Sequence, residues 1–559
     1  MNFRLLLAIP VLGFLILTGI LGCESSVAFN PLHNGSNGSA DTGEDTDAPV
    51  GPLNPHLPST TGRSGDIDGV RLWTLPNGPN NSLIPDQNWH SIGSDPAGDI
   101  YVSGMDHIVN SGLYRLYVGE GQDRLGYVGD AKTASQAVNN WKNETAEKFH
   151  NRPVYYDGKM YVATTDKTDV GGDYRRTRGF HWYSYDIVTG DFIDMSADQP
   201  GGVGYPELQI LTLAVDPENG YIYGMANAVL DIVRLDVDSG VTENLGKPRD
   251  FGSRYVYGNR FMWVDSRGVL YFSAGTTDRQ WNQGENAAVF NSLYAYDPAT
   301  DSFSRSFSLN AAHAIEVGQW TRDRKHLYAM DDRGYLYRFD DDGPSFSHLG
   351  EIIPANMRGS VWSLQLSPDE KKIYVFWGVK EKNLYEYDIE SGRVTELATA
   401  AQLSGEVANQ YFITGYDSWD NNGAFYTGAF SMYKRGNVIL MQIDPARVKA
   451  ARGISDGLIE ASVSYDSTQE TIRVHRSSSS SNREYEALVS IYGYSNGERV
   501  ESIYADYAIS NGADSVTIPL SDVRGELRNP AAVDEIHFTL LADGNEYVTT
   551  GNTNIQIAF

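Results

Sequence analysis

The stretch MWVDSRGVLYFSAG (Met262 to Gly275) contains two short apolar runs joined by a turn, and SLYAYDPATDSF (Ser292 to Phe303) adds two more around an Asp-Pro turn. Short runs rich in Val, Leu, Tyr and Phe between such turns are typical of antiparallel β-strands. Together the two stretches predict one unit of four short strands.

This unit recurs along the chain at intervals of roughly 40 to 60 residues, which is the range of propeller repeats. Most copies carry a turn such as DPxxG, then an (I/L)Y strand, and then a strand that ends in an aromatic residue and Asp. Six further copies contain SDPAGDIYVSG (94–104), VYYDGKMYVAT (154–164), LAVDPENGYIYGM (213–225), GQWTRDRKHLYAM (318–330), LQLSPDEKKIYVFW (364–377) and GYDSWDNNGAFYTG (415–428).

Seven four-stranded repeats with turns at fixed offsets predict an all-β fold, a seven-bladed β-propeller over residues 65–452. The early run GVRLWTLP (69–76) is expected to complete the last blade and close the circle. A two-sheet sandwich is the alternative, but it does not account for the repeated Tyr-Asp and Gly punctuation.

The C-terminal residues 457–559 alternate apolar and polar positions without the blade turns, as in ETIRVHR and EIHFTLLA. This pattern predicts a separate β-sandwich of Ig or fibronectin type. We expect this accessory domain either to bind carbohydrate or to have a structural role.

The N-terminal residues 1–22 carry Arg4 and a long apolar run, and Cys23, the single cysteine, follows directly. This arrangement is similar to a bacterial lipoprotein signal, which implies an acyl anchor on Cys23 in the cell envelope, at the outer membrane facing periplasm or cell surface. A plain signal peptide with an incidental cysteine is the alternative. Residues 23–64 are rich in Ser, Gly, Asn, Asp and Pro, so we expect a flexible tether.

The formal net charge of −28 argues against nucleic acid as a partner, although a local basic pocket can still bind an anionic polymer. The chain lacks the nucleophile elbow, the HExxH helix, the P-loop and the dinucleotide fingerprint. No metal site is assigned and no cofactor is required, while a structural divalent ion is left open. We expect a monomer.

Basic residues begin the predicted first strand of the second blade, where Lys148, His150 and Arg152 alternate along one face. His181 opens the third strand of that blade, so both histidines are expected at the mouth of the central channel, where loops converge. A loop leading to His181 carries three arginines that would suit carboxylate or sulfate groups, namely Arg175, Arg176 and Arg178.

The same reasoning brings further residues to the mouth. Tyr223 is expected near the mouth end of blade three's second strand, with Arg234 on the third. The start of blade four supplies Arg254, Tyr255, Tyr257 and Arg260, and the first strands of blades one, five and six begin with His90, His313 and Arg358. Each of these three is individually expected to be structural.

The segments WKNETAEKFHNRP (141–153) and RGFHWYSYD (178–186), together with the seven-blade repeat, resemble the propeller-fold polysaccharide lyases of marine bacteria, above all the ulvan lyases. The resemblance covers the propeller and not the C-terminal domain. It implies β-elimination on a uronic-acid-containing polysaccharide, with His and Tyr as acid and base and an Arg that neutralises the carboxylate.

Carried over residue by residue, the resemblance implies His150 and His181 as catalytic histidines, with Tyr223 as first choice for the catalytic tyrosine and Tyr257 as second. The neutralising Arg is left open among Arg234, Arg254 and Arg260. The alternatives are another carbohydrate-active propeller and a non-enzymatic glycan-binding or scaffold lipoprotein.

Overall fold

A computed structural model of the chain describes twenty-five segments. They are 57–106, 108–118, 124–142, 145–165, 178–227, 229–252, 257–275, 291–309, 314–331, 334–352, 360–378, 383–390, 392, 394–404, 411–419, 423–431, 436–452, 454, 461–476, 487–495, 498–510, 513–527, 530–542, 546–548 and 554–556.

Thirty-two strands lie between residues 59 and 443 of the described segments. They are β1 (Ser59–Thr61), β2 (Arg63–Ser64), β3 (Val70–Thr74), β4 (Ile92–Ser94), β5 (Ile100–Met105), β6 (Ser111–Leu116), β7 (Arg124–Asp130), β8 (Val154–Tyr156), β9 (Lys159–Ala163), β10 (Gly179–Phe180), β11 (Trp182–Asp186), β12 (Phe192–Asp194), β13 (Tyr205–Pro206), β14 (Ile210–Asp216), β15 (Tyr221–Ala226), β16 (Ile232–Asp236), β17 (Thr242–Gly246), β18 (Tyr257–Val264), β19 (Leu270–Gly275), β20 (Ser292–Asp297), β21 (Ser302–Ser308), β22 (Ile315–Trp320), β23 (His326–Asp331), β24 (Tyr335–Asp340), β25 (Ser345–Glu351), β26 (Ser360–Leu366), β27 (Lys372–Gly378), β28 (Asn383–Asp388), β29 (Val394–Ala398), β30 (Tyr411–Trp419), β31 (Phe425–Ser431) and β32 (Ile439–Ile443).

Eight more strands follow, with four α-helices in the described chain. The strands are β33 (Ala461–Asp466), β34 (Thr471–Arg476), β35 (Ala487–Ser495), β36 (Glu498–Ile509), β37 (Ser515–Pro519), β38 (Glu535–Ala542), β39 (Glu546–Val548) and β40 (Asn554–Gln556). The helices are α1 (Ala131–Ala137), α2 (Ala400–Ser404), α3 (Pro445–Arg452) and α4 (Leu520–Glu526), and short 3-10 helices lie at Pro79–Asn81, Met195–Asp198, Pro200–Gly202, Arg249–Phe251 and Pro530–Ala532.

The first thirty-two strands form seven sheets of four or five antiparallel strands and one two-stranded ribbon, β10–β13. We call the seven sheets blades one to seven. Their hydrogen-bonded orders are β1-β7-β6-β5-β4, β12-β11-β9-β8, β14-β15-β16-β17, β18-β19-β20-β21, β22-β23-β24-β25, β26-β27-β28-β29 and β2-β3-β32-β31-β30. The all-β propeller class predicted from the repeat is confirmed.

The blades are arranged in a closed ring. The inner strands contact one another in the sequence β4, β8, β14, β18, β22, β26 and β30, and β30 returns to β4. The N-terminal strand β3 pairs with β32, with Val70 opposite Ile443 and Leu72 opposite Met441. The early run 69–76 therefore supplies a strand of the last blade, so blade seven is built from both ends of the propeller sequence.

The turn between β8 and β9 shows how local chemistry sets the blades. Asp157 has φ 44° and Gly158 has φ 73°. Two positive φ values in succession match the hairpin turn that twists in the same sense as its strands, and Asp-Gly adopts it readily.

Neighbouring blades pack through buried aliphatic and aromatic side chains, for example Tyr223, Met262 and Phe272 between blades three and four.

Two short strands lie in the segment for which the sequence predicted a tether ending at residue 64. β1 pairs with β7 in blade one, and β2 pairs with β3 in blade seven. Thr60 Oγ1 also donates to the carbonyl oxygen of Thr74 at 2.7 Å. The Ser/Thr-rich composition does not prevent this pairing, because an edge strand needs only backbone donors and acceptors.

The C-terminal strands form two sheets, β33-β34-β37 and β36-β35-β38-β39, with β40 beside β38. Their shared core contains Ile472, Val489, Ile491, Ile518 and Phe538. Strand β39 contacts β29 of blade six. Apolar side chains from both sheets thus build a core that is separate from those of the blades.

Within the described ranges, no helix has the length and apolar character needed to cross a membrane. Residues 1–56, which include the predicted signal segment and Cys23, lie outside the described residues.

Candidate functional site

Two histidines lie side by side where the inner strands of blades one and two begin. His90 precedes β4 and is fully buried, and His150 precedes β8 with 5% of its surface exposed. Their ring centroids are 5.6 Å apart. The indole of Trp89 lies parallel to the His150 ring, with an interplanar angle of 4° and a centroid distance of 6.3 Å.

Arg260 joins this pair from blade four. Its Nη1 lies 2.6 Å from Nε2 of His90. Arg260 sits in β18 where the register with β19 shifts between Gly258 and Met262, and such bulges re-aim side chains. Its carbonyl oxygen accepts a hydrogen bond from Thr212 Oγ1 of blade three at 3.1 Å. The bulge and this anchor hold the guanidinium against His90.

A carboxylate accompanies the guanidinium. Glu316 is the second residue of β22 in blade five, and its side chain is buried. Burial lowers the pKa of Arg260 to about 9, and the charge of Glu316 opposes this shift. Burial also moves the pKa of His90 well below its usual value, and the charges of Arg260 and His150 act in the same direction. At neutral pH, therefore, His90 is neutral and Arg260 remains a cation.

We refer to Trp89, His90, His150, Arg260 and Glu316 as the channel cluster. Its members come from blades one, two, four and five, at or beside inner strands of the ring. A cation, two imidazoles and an aromatic face in one place can bind a carboxylate, move a proton and contact the face of a sugar ring.

The other basic residues near β8 lie beside this cluster. Arg152 is 3% exposed. The backbone that follows it passes β4 so closely that a Cβ added to Gly93 would clash with the carbonyl oxygen of Pro153. Lys148 is half-buried, pairs through its backbone with Thr165, and has its Nζ 3.9 Å from Glu147 Oε1.

His181 lies at the same end of blade two but in a second network. Its carbonyl oxygen accepts from the backbone N–H of Thr164, while Lys148 pairs with Thr165 on the other side of that strand. The two histidine segments are thus about two strand spacings apart, ~10 Å. The ring of His181 turns toward the outer strand, where Nδ1 lies 3.0 Å from Asp194 Oδ2.

Arg178, one of the three loop arginines, forms hydrogen bonds with two other segments of the chain. Its guanidinium donates to the carbonyl oxygen of Asn140 at 2.9 Å, to Oδ1 of Asn140 at 2.6 Å, and to the carbonyl oxygens of Gly201 and Gly202 at 2.9 and 3.0 Å. These contacts tie residues 140 and 201–202 together beside His181.

Tyr223 lies between blades three and four and is fully buried. Its ring packs 6.2 Å from that of Tyr296, and burial raises the pKa of its hydroxyl. Arg234, its partner across β15 and β16, donates to Glu243 Oε2 at 2.7 Å and lies over the ring of Tyr221. The structure therefore does not bring Tyr223 and Arg234 into the channel cluster.

Tyr257 begins β18 opposite Gly275, three positions before Arg260 on the same strand. The remaining residues singled out from the sequence lie outside the described segments: Cys23, Arg175, Arg176, Arg254, Tyr255, His313 and Arg358.

Sequence reasoning did not single out Trp89, Glu316 or Asp194. Trp89 lies next to His90 in the sequence, and Glu316 lies shortly after His313. The reasoning that selected the residues at the starts of inner strands could therefore have found both. Asp194 carries no such signal, because its contact with His181 depends on how β12 pairs with β11. No set of three or more His, Cys, Asp or Glu side chains that could hold a metal ion occurs in the part of the chain that the structure describes.

Neither a family model nor a curated protein sequence matches the chain. Among solved structures, a chain of the mitotic checkpoint complex is 12% identical over 72% of this chain and 97% of its own, with a TM-score of 0.41. YCF48 bound to D1 peptide is 9% identical over 68% and 97%, with a TM-score of 0.39. The extracellular domain of a hybrid two-component system from B. thetaiotaomicron is 11% identical over 90% of this chain and 60% of its own, with a TM-score of 0.40. At these identities the similarity concerns the fold alone.

Proposed function

We propose that the protein is a polysaccharide lyase that cleaves a uronic-acid-containing polymer, ulvan above all, by β-elimination. The observation that carries this proposal is the channel cluster, where the Arg260 cation touches His90, and His150 lies next to it, in a chain of net charge −28. A buried cation inside an acidic protein provides a specific place for an anionic sugar. The two histidine segments that resemble those of ulvan lyases support the same reaction.

The chemistry requires three roles. The C5 proton of a uronate is only weakly acidic, so a cation must first neutralise the adjacent carboxylate and stabilise the developing enolate. A base then removes the C5 proton. The electron pair forms the C4=C5 double bond, the C4–O4 bond breaks, and an acid protonates the departing O4.

We assign these roles by position. Arg260 neutralises the carboxylate, because a guanidinium binds a carboxylate through two parallel hydrogen bonds. His150 is the base, since it lies beside His90 and stands at the start of an inner strand. Tyr257 protonates O4, since it begins the strand that carries Arg260. Trp89 lies parallel to the His150 ring and helps to fix the orientation of this base.

A second function is favoured by one observation. Tyr223, the first choice for the catalytic tyrosine, is fully buried among aromatic rings. If no other tyrosine supplies the acid, the channel cluster would bind a uronate without cleaving it. The second candidate is therefore a non-enzymatic glycan-binding propeller.

The test uses protein beginning at Glu24, mixed separately with ulvan, heparan sulfate, chondroitin sulfate, alginate and polygalacturonate. The ultraviolet absorbance of the new C4=C5 double bond reports elimination. A rise with ulvan that is lost in His150→Ala and Arg260→Met, but kept in the exposed control His348→Ala, would support the lyase. Flat traces on all five polymers, with retention on immobilised ulvan that depends on Arg260, would support the binding function instead.

A further inference from the structure

The His90–Arg260 contact spans the ring. His90 belongs to blade one and Arg260 to blade four, and these residues lie 170 positions apart in the sequence. Neighbouring blades meet through their inner strands, so a contact between blades one and four crosses the central channel. Arg260 is thus held from both sides, by its own strand and by an imidazole across the ring.

The contact also fixes the protonation of the imidazole. Arginine has only donors, so Nε2 of His90 must be the acceptor, and the proton of the neutral ring is on Nδ1. A protonated His90 has no acceptor nitrogen and carries a positive charge that repels the guanidinium. The contact at 2.6 Å therefore requires the neutral ring.

The backbone of His90 supports a specific role for the ring. His90 has φ 58°, in the left-handed region that residues with a Cβ adopt rarely. The residue is completely buried there, with the rings of Trp89 and His150 and the guanidinium of Arg260 as neighbours. A strained backbone at a buried polar side chain is common where a group has to be aimed.

We infer that His90 is a positioning residue that holds the Arg260 guanidinium across the channel for a substrate carboxylate, and that protonation of His90 releases it. The inference rests on the proposed function for the identity of the substrate. The charged and titratable groups facing the pair are His150 from the segment before β8 and Glu316 from β22. Arg152 packs beside Gly93 of β4 in the same region.

The test compares His90→Leu, which removes the acceptor, with His90→Gln, which keeps one. His348→Leu, on an exposed outer strand, is the matched control, and thermal unfolding checks that each variant is folded. We expect His90→Leu to lower kcat/KM on ulvan about 10²-fold, the size of effect that misplacing a catalytic group produces. His90→Gln should retain about a tenth or more of the wild-type value, because one neutral hydrogen bond is exchanged for another.

The pH profile separates positioning from simple structural support. In the wild type, activity should fall on the acid side as His90 gains its proton, at a pH below the ordinary histidine value of about 6.5. The base His150 must also be unprotonated, so an acid limb remains in every active variant. His90→Gln should lose only the part that His90 adds, so that log(kcat/KM) falls less steeply with falling pH than in the wild type. Equal activity in His90→Leu and His90→Gln, or an acid limb that persists unchanged in His90→Gln, would overturn the inference while leaving the lyase in place.

The protonation of His90 can also be measured without substrate. Nitrogen-15 NMR of histidine-labelled protein reports whether Nε2 of His90 is an unprotonated acceptor, and Arg260→Lys identifies the resonance that depends on Arg260. We expect an acceptor signal at neutral pH that shifts in Arg260→Lys and disappears on acidification. If this signal is present and ulvan is neither cleaved nor bound, the proposed function fails alone; if the signal is absent, the inference fails.

Discussion

The carboxylate of Asp194 lies 3.0 Å from Nδ1 of His181, and both side chains are almost completely excluded from water. The same oxygen, Oδ2, accepts a hydrogen bond from Ser135 Oγ at 2.7 Å and one from Asn140 Nδ2 at 2.8 Å. Its other oxygen accepts from the backbone N–H of Ser196 at 2.9 Å. One carboxylate thus joins helix α1, the residue that precedes β11 and the 3-10 helix that follows β12.

We predict that Asp194→Ala lowers the free energy of unfolding by about 3–5 kcal/mol, because it leaves several buried donors without their acceptor. Denaturant unfolding followed by circular dichroism measures this loss. Asp191→Ala, an exposed carboxylate in the preceding turn, is the matched control and should cost about 0.5 kcal/mol or less. Similar losses in the two variants would contradict a central role for Asp194.

Titration of Asp194 should also make the free energy of unfolding depend on pH. Burial alone would raise the pKa of Asp194. The hydrogen bond and the charge of His181, together with hydrogen bonds from Ser135 and Asn140, outweigh this effect and lower the pKa. A lowered carboxyl pKa contributes stability above the ordinary Asp value of about 3.9 and loses it as the pH falls through the folded-state pKa. The unfolding free energy of the wild type should therefore fall more steeply below pH 4 than that of Asp194→Ala.

Asp95 is predicted to behave in the opposite way. Burial and the nearby charge of Asp99 raise its pKa to about 6, although Arg115 and a hydrogen bond from Tyr101 oppose the shift. A raised carboxyl pKa stabilises the fold below pH 4 and loses that contribution as the pH rises through 6. Asp95→Asn should therefore stabilise the protein by about 1–3 kcal/mol at pH 8 and by much less at pH 4. Thermal unfolding at the two pH values measures this, and a gain at pH 4 only would refute it.

Closure of the ring by β3 predicts a large effect of a single apolar side chain. Leu72 is 1% exposed and lies opposite Met441. Leu72→Ala should lower the free energy of unfolding by about 2–5 kcal/mol, the range for buried leucines. Arg71→Ala, the exposed neighbour on the same strand, should cost about 1 kcal/mol or less. If both variants unfold at the wild-type denaturant concentration, β3 does not contribute to closure.

Burial of Tyr223 leads to a functional prediction. Because the ring is packed between blades three and four, Tyr223→Phe should leave elimination on ulvan within about twofold of the wild type, whereas His150→Ala should remove it. Steady-state rates from the absorbance of the double bond compare the two variants. Loss of elimination in Tyr223→Phe, with unchanged thermal stability, would show that this hydroxyl reaches the substrate.

The sequence predicts the propeller well because each blade repeats its own local chemistry. Turns such as Asp157-Gly158 and short, mostly buried runs such as SLYAYD of β20 are encoded within a few residues. The site is harder to predict, because its contacts join distant blades. Nothing near Arg260 in the sequence indicates that its guanidinium meets His90, and the bulge at Gly258 that re-aims it is a tertiary feature.

The two histidine segments illustrate the same limit. The order of strands in a blade places His150 and His181 at one end of blade two, as the sequence suggests. The ring of His181 is oriented by Asp194 of the outer strand β12, which in turn accepts a hydrogen bond from Ser135 of helix α1, and these contacts between separate segments are not visible in the sequence.

The pairing of β3 with β32 also has a consequence for how the protein is made. Val70 is among the first residues of the propeller to be synthesised and Ile443 among the last, yet they are neighbours in one ladder. Such non-local contacts slow folding, because a long loop must close before they form. Strand β3 remains unpaired on the side that faces β32 until nearly the whole propeller sequence has been synthesised. The partly synthesised chain therefore exposes a strand edge that is prone to aggregation and that chaperones would have to protect.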